Sequence, residues 1–445
     1  MSRIDDALAR ASDTKALSMG VGTINDAAKI FAGQFPGASA VIVADKTTYE
    51  IAGRQVQRLL EEAGIAQDTP CVFGQDVYAS WEWVEKLDAV LSRTNAVPVA
   101  VGSGTINDLT KLSSHRNGRP YMCVATAASM DGYTAFGASI TFQGAKQTFS
   151  CPAPAAIIAD TGIIAAAPAI MTSSGYADLF AKIPAGADWI LSDALGVEPI
   201  DGFAFSLVQD NLKSALSDTE GIRTGSVSAI EHLTEGLIFG GFAMQAHKSS
   251  RPASGADHQF SHLWDMEHHK TEDGTAPSHG FKVSIGLLAS TALYEELLNH
   301  DMANLDIEAC VAAWHSREDM ERTAAEMFRG TDFPTIGVTE YGAKYVSRDE
   351  LRGQLTLLRN GWEGIRDALR EHLTPFAKAA EMLRSVGAPV LPEQIGIARE
   401  RLLGSKRRAM YIRRRFTVLD IADRCGMLDQ WVDHIFAPGR LWEIT

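Results

Sequence analysis

Five short apolar runs separated by amphipathic stretches, confined to residues 40–159, constrain the fold more than any other feature. The runs are AVIVA at residues 40–44, PCVF at 70–73, VPVAV at 97–101, YMCVA at 121–125 and AAIIA at 155–159. Between them lie helical patterns such as YEIAGRQVQRLLEEAG at 49–64, where Ile51, Val56, Leu59 and Leu60 recur at helical spacing. Strand, helix, strand alternation calls for a parallel sheet with helices on its faces. The rhythm breaks at SITFQGAKQTFSC, residues 139–151, where alternating residues around Gln143-Gly144-Ala145-Lys146 read as a hairpin. From residue 162 onward β-branched runs are scarce and helical patterns follow at 187–196, 202–218, 225–247, 279–299, 303–315 and 318–328, with more after 347. The expected architecture is an α/β Rossmann-like domain with a parallel sheet over residues 1–161, then an all-α domain over residues 162–445. A ligand cleft between two such domains is the default expectation.

Composition narrows the class. The 445 residues carry 41 basic and 55 acidic side chains, a formal charge of −14, which argues against a nucleic-acid surface because phosphate binding needs a basic face. A run of six cations, Lys406, Arg407, Arg408, Arg413, Arg414 and Arg415, reads as a solvated or salt-bridged helical face. Five cysteines spread singly suggest neither a disulfide framework nor a thiolate zinc site. The opening MSRIDDALARASDTKAL lacks an apolar signal core and no apolar run approaches the length of a membrane span, so a cytoplasmic location is expected. These features favour a small-molecule enzyme or binder.

Three places carry candidate chemistry. In VPVAVGSGTINDLTK, residues 97–111, a buried strand runs into Gly102-Ser103-Gly104 and opens a helix. Glycines there let backbone N–H groups approach a pyrophosphate, and the helix N-terminus adds partial positive charge; a plain tight turn is the alternative. Asp45 ends the strand AVIVAD, where its carboxylate is placed either to accept from a ribose hydroxyl or to cap the next helix. VATAASMDGYTA, residues 124–135, sets Thr126, Ser129, Asp131 and Gly132 at the C-terminal end of another strand, the edge where open α/β sheets bind ligands.

The third place is a metal constellation. His258 and His262 stand one helical turn apart in SGADHQFSH, and His279 opens the next helix. Asp178 sits in MTSSGYADLFAK with Lys182 four residues on. One carboxylate with two imidazoles suits zinc, iron(II), nickel or manganese. Spacing alone leaves the bland reading open: an exposed histidine pair, and Asp178 as a surface carboxylate paired with Lys182. His268 and His269, in a very polar loop, read as solvated.

Four motifs in order, VGSGTINDLTK, TAASMDGYTA, ADTGIIAAAPAIMTSSGYADLFAKIPAGADW, and RPASGADHQFSHLWDM followed by SHGFKVSIG, resemble the bacterial-type sn-glycerol-1-phosphate dehydrogenases. These fall in the superfamily of iron-containing alcohol dehydrogenases, glycerol dehydrogenases and dehydroquinate synthases. The resemblance runs over most of residues 15–430 and implies the dehydroquinate synthase-like two-domain architecture. It implies metal ligands at Asp178, His258 and His279, and NAD(P)H contacts from Gly102, Ser103, Gly104, Thr105, Ile106 and Asn107 and from Thr126, Ala127, Ala128 and Ser129. Substrate contacts are implied at Asp131, Asp178 and His262, with His262 and Asp131 as the catalytic candidates. Two departures stand out. The family's Gly-Gly-Gly-Ser turn is here Gly-Ser-Gly-Thr, and Ala135 replaces a cofactor-contacting Ser, so that Thr134 is the substitute contact.

The implied reaction is hydride transfer between NAD(P)H and dihydroxyacetone phosphate, giving sn-glycerol 1-phosphate, with one divalent ion. Lys182, Lys248, Arg251 and Lys282 lie in or beside the motifs as candidates for the substrate phosphate. A homodimer or larger homo-oligomer, without nucleic acid or membrane, is expected. The alternatives are a dehydrogenase of another polyol or polyol phosphate on the same scaffold, or a catalytically silent relative that binds nucleotide or metal.

Overall fold

In a computed structural model, residues 3–74, 76–143, 145–440, 442 and 443 are described. They divide into two compact units, one drawn from residues up to 179 and from 206–249, the other from 180–205 and from 250 onward. The first division falls inside the helix Ala169–Phe180.

The first unit is built on a six-stranded parallel sheet. Its strands are β1 (Ala16–Gly20), β2 (Ala40–Asp45), β3 (Cys71–Phe73), β4 (Val97–Gly102), β5 (Met122–Ala125) and β8 (Ala156–Asp160), in the order β1-β8-β5-β4-β2-β3. Every residue of β4, β5 and β8 is buried, as expected of parallel strands covered on both faces. One core face gathers Ile42, Val56, Leu60, Val99, Val101, Val124 and Ile158. The antiparallel hairpin β6 (Ala138–Phe142) and β7 (Ala145–Phe149) lies outside the sheet. Its expected turn includes Gly144, which lies outside the described residues.

From β2 the chain goes outward to β3, then returns to β4 on the other side of β2. The winding direction therefore reverses between β2 and β4. In open α/β sheets the crevice beyond the C-terminal ends of such a pair is where nucleotides bind. Asp45 ends β2 and Gly102 ends β4.

Two details differ from expectation. The helical run after β2 contains a π-turn at Tyr49–Gly53, whose extra residue rotates the buried stripe. Ala52, Val56 and Leu60 face the core, while Ile51 is 52% exposed. The division of the chain also differs from a single cut after residue 161. Helix Val227–His247 belongs to the first unit, where Thr134 Oγ1 donates to Ile238 O at 2.7 Å and Gln245 Nε2 donates to Thr134 O at 2.6 Å.

In the second unit the helix His279–Asn299 is apolar nearly all round and is buried on all sides, which makes it the central element. Helix Ala256–Met266 packs on it at Gly286, where a Cβ would stand 2.2 Å from Asp257 O. Asp188, on helix Lys182–Ala194, ties the unit together. Its carboxylate accepts from Tyr294 Oη at 2.6 Å, Ala256 N at 2.8 Å and Val418 N at 2.7 Å. Burial outweighs these donors and the nearby Arg251, and holds the Asp188 carboxyl at about 7.

Candidate functional site

The turn after β4 has the form expected of a phosphate cradle. Helix Gly104–Arg116 starts at Ser103, whose side chain makes no capping hydrogen bond. Gly102 is fixed by local packing, because a Cβ there would stand 2.6 Å from Ile106 Cβ. Ser103, Gly104 and Thr105 are half-buried at the sheet edge, and Ile106 is core.

Several expected cofactor contacts are already engaged. Asn107 is buried, donates to Gly132 O at 3.3 Å and accepts from Tyr121 Oη at 2.9 Å, so its side chain shapes the loop. Thr134 is fully buried with its hydroxyl given to Ile238 O, which removes it as a substitute contact. Asp45 Oδ1 accepts from Thr47 N at 2.8 Å and Thr48 N at 2.9 Å, the helix-capping alternative. Thr126, Ala127 and Ala128 are buried at the end of β5, Ala127 O accepting from Tyr133 Oη at 2.8 Å, and Ser129 is half-buried.

Lys111 was not among the expected residues. Its buried Nζ donates to Gly132 O at 2.9 Å, Ala135 O at 2.8 Å and Gly137 O at 3.0 Å, gathering the loop that follows Asp131. The signal was its position seven residues after Gly104, on the same helix face.

The loop 128–131 is seated on helix Ala169–Phe180. A Cβ at Gly175 would stand 1.9 Å from Ala128 O, so only glycine permits this approach. Three residues on, Asp178 is fully buried and its Oδ2 accepts from Asp131 N at 3.0 Å. Lys182 is also fully buried, which excludes the reading of Asp178 and Lys182 as a surface pair.

Within the second unit the three imidazoles form a triangle. Ring centroids lie 5.3 Å apart for His258 and His279, 5.9 Å for His258 and His262, and 6.0 Å for His262 and His279. His258 Nδ1 faces Asp257 Oδ1, an arrangement that orients the ring. Asp178, His258 and His279 each offer one ligand atom, and these atoms all lie within 4.8 Å of one another. An ion with bonds of about 2.1 Å reaches all three after shifts of less than about an ångström. A buried carboxylate with two imidazoles is a donor set that fits a divalent ion, and the residues present pass that test.

The other polar candidates divide. Lys282 pairs with Asp265, and Arg251 donates to Phe416 O and Asp188 O, both at 2.9 Å, so these two serve the helical packing. Lys248 is exposed at the end of helix Val227–His247. His268 is exposed, as expected, but His269 is buried, with Nε2 2.6 Å from Ile395 O and Nδ1 2.7 Å from Arg401. Its loop is polar, yet it folds back against the helix Arg399–Tyr411. The C-terminal cations are largely paired: Lys406 and Arg407 with Asp429, Arg408 with Glu267, Arg414 with Glu340.

Among the described residues no helix is long and apolar enough to cross a membrane. The iron-containing alcohol dehydrogenase family matches residues 33–168. A glycerol dehydrogenase from Schizosaccharomyces pombe shares the fold, with a TM-score of 0.59 at 17% identity over 95% of this chain and 91% of that one. The glycerol-1-phosphate dehydrogenase of Halalkalibacterium halodurans is 35% identical over 57% of this chain, a match that spans 64% of that relative. The glycerol-1-phosphate dehydrogenase of Pyrococcus furiosus is 36% identical over 57% of this chain and 71% of that protein. The chain therefore belongs to the NAD(P)+-dependent glycerol-1-phosphate dehydrogenases, oxidoreductases of the iron-containing alcohol dehydrogenase superfamily.

Proposed function

We propose that this protein interconverts dihydroxyacetone phosphate and sn-glycerol 1-phosphate with NAD(P)H, using one divalent ion held by Asp178, His258 and His279. The observation that carries the reading is the convergence of those three ligand atoms within 4.8 Å. A divalent ion bound there supplies Lewis acidity to a ketone oxygen, and the nicotinamide supplies the hydride.

The chain's own groups do the rest. Asp131 N–H and the Asp257 carboxylate hold Asp178 and His258 in their ligand orientations. The turn Gly102 to Gly104, with the uncapped start of its helix, takes the cofactor pyrophosphate. Asp45 ends β2 at the reversal of winding, and its capping role leaves the ribose contact to Oδ2. His262, half-buried beside both ligand imidazoles, exchanges the proton of the product hydroxyl, and Asp131 orients a substrate hydroxyl.

The test is NADH oxidation with dihydroxyacetone phosphate by metal-stripped protein refilled with zinc, nickel, iron(II) or manganese, with the product's enantiomer determined. Metal-dependent formation of sn-glycerol 1-phosphate is expected. Metal and NADH binding without turnover of that ketone would overturn the named substrate and redirect the search to other polyols and polyol phosphates.

A further inference from the structure

The function proposed above leaves the buried cation Lys111 without a task. Its side chain is fully buried in the first unit, and the three N–H bonds of its ammonium are all spent on backbone, at Gly132 O, Ala135 O and Gly137 O, between 2.8 and 3.0 Å. An ammonium taken out of water is costly even when its hydrogen bonds are replaced. Neutral donors already tie the same loop: Gln245 Nε2 donates to Thr134 O at 2.6 Å, and Asn107 Nδ2 to Gly132 O at 3.3 Å. What the ammonium adds is geometry, because three carbonyls held by one tetrahedral donor cannot shift independently.

The place of those carbonyls gives the constraint its use. Asn107, Asp108 and Lys111 project from one side of helix Gly104–Arg116. Asp108 Oδ2 accepts from Ser139 N at 3.1 Å, and the Asp108 carboxylate stands 3.8 Å from the Lys111 ammonium, so this helix grips the chain from Gly132 to Ser139. On the other side, Gly175 lets Ala128 O seat against helix Ala169–Phe180. Asp131 lies between the two anchors, and its N–H donates to Asp178 Oδ2 at 3.0 Å. Asp178 is fully buried, so its orientation is set by such contacts rather than by water.

We infer that Lys111 is a positioning residue of the metal site: its ammonium fixes the backbone of 132–137 and thereby keeps the Asp131 N–H on the Asp178 carboxylate. This rests on the ligand set proposed above. Lys111 acts through the loop and not on the ion, since its three N–H bonds are already spent.

The test compares the metal-free parent with Lys111→Met and with Leu112→Ala, which cuts back a neighbouring buried side chain of the same helix. Both substitutions lower the melting temperature. Only Lys111→Met should weaken zinc binding, about 10- to 100-fold in a competition titration, the usual loss when a group behind a metal ligand is removed. Only Lys111→Met should also speed amide hydrogen exchange across residues 130–137 of the metal-free chain, read by mass spectrometry. Asn107→Ala removes the weaker donor to Gly132 O and should move both readings the same way by less. It decides the matter if Lys111→Met does not fold, and unmoved readings in it would then overturn the inference. Zinc affinity equal in Lys111→Met and the parent, or lost equally in Leu112→Ala, overturns the inference alone. A parent that binds no zinc overturns the ligand set instead.

Discussion

His258 shows how one side chain can be both buried and available. Its Nδ1 faces the fully buried Asp257, a contact that orients the ring as the proposed ligand set requires. His258→Ala should therefore abolish both turnover and stoichiometric zinc, measured by activity and elemental analysis on the same preparation. His262 separates from it in kind. His262→Gln keeps zinc stoichiometric while kcat falls about 100-fold, the usual contribution of a positioned acid or base, with KM nearly constant; loss of zinc in that variant would make His262 a ligand instead. The imidazoles were legible because spacing one turn apart survives translation into structure. Thr134 and Asn107 were not, because a sequence does not reveal which way a hydroxyl or amide is spent, and Ile238 O and Gly132 O lie 104 and 25 residues away.

At the scale of elements, Asp188 aligns the parts that present the histidines. It receives the first N–H of the helix bearing His258 and the hydroxyl of Tyr294 on the helix that begins with His279. Its carboxyl is raised from 3.8 to about 7, so the folded chain holds this proton more tightly than the unfolded chain does. That stabilising contribution is complete below about pH 4 and is lost as pH rises through 7. Between those limits the melting temperature of Asp188→Asn should depend less on pH than the parent's; parallel slopes would assign the dependence elsewhere. Gly286 sets the distance between the same two helices. Gly286→Ala places a Cβ against Asp257 O, and overpacking of that kind costs about 1–3 kcal/mol. Thermal unfolding and a zinc titration should register both the lost stability and weaker binding. Periodicity revealed both helices and missed the glycine contact, because a close approach of backbones leaves no hydrophobic trace.

For the whole molecule, the alternation of apolar runs and helices identified the parallel sheet, yet β1, ALSMG, escaped because it is half-polar and lies at the sheet edge beside β8. The helices after residue 162 were readable from their 3.6-residue period, but that period is silent about what each helix packs against. Gln245, bonded to Thr14 N and Thr134 O, is what draws helix Val227–His247 to the first unit. The metal offers a test at this scale, since its three candidate ligands come from three helices separated by as many as 101 positions, 279 − 178. An ion that binds only when Asp178, His258 and His279 have converged stabilises the folded chain by RT ln(1 + [M]/Kd), about 2.7 kcal/mol at a hundredfold excess over Kd. Zinc should raise the unfolding midpoint of stripped protein in steps that follow this logarithm. In Asp178→Ala the rise should shrink toward zero, because two imidazoles from neighbouring helices bind far more weakly than the three-ligand set. A zinc shift of full size in that variant would show that the histidines bind the ion without the carboxylate, and the proposed ligand set would fall.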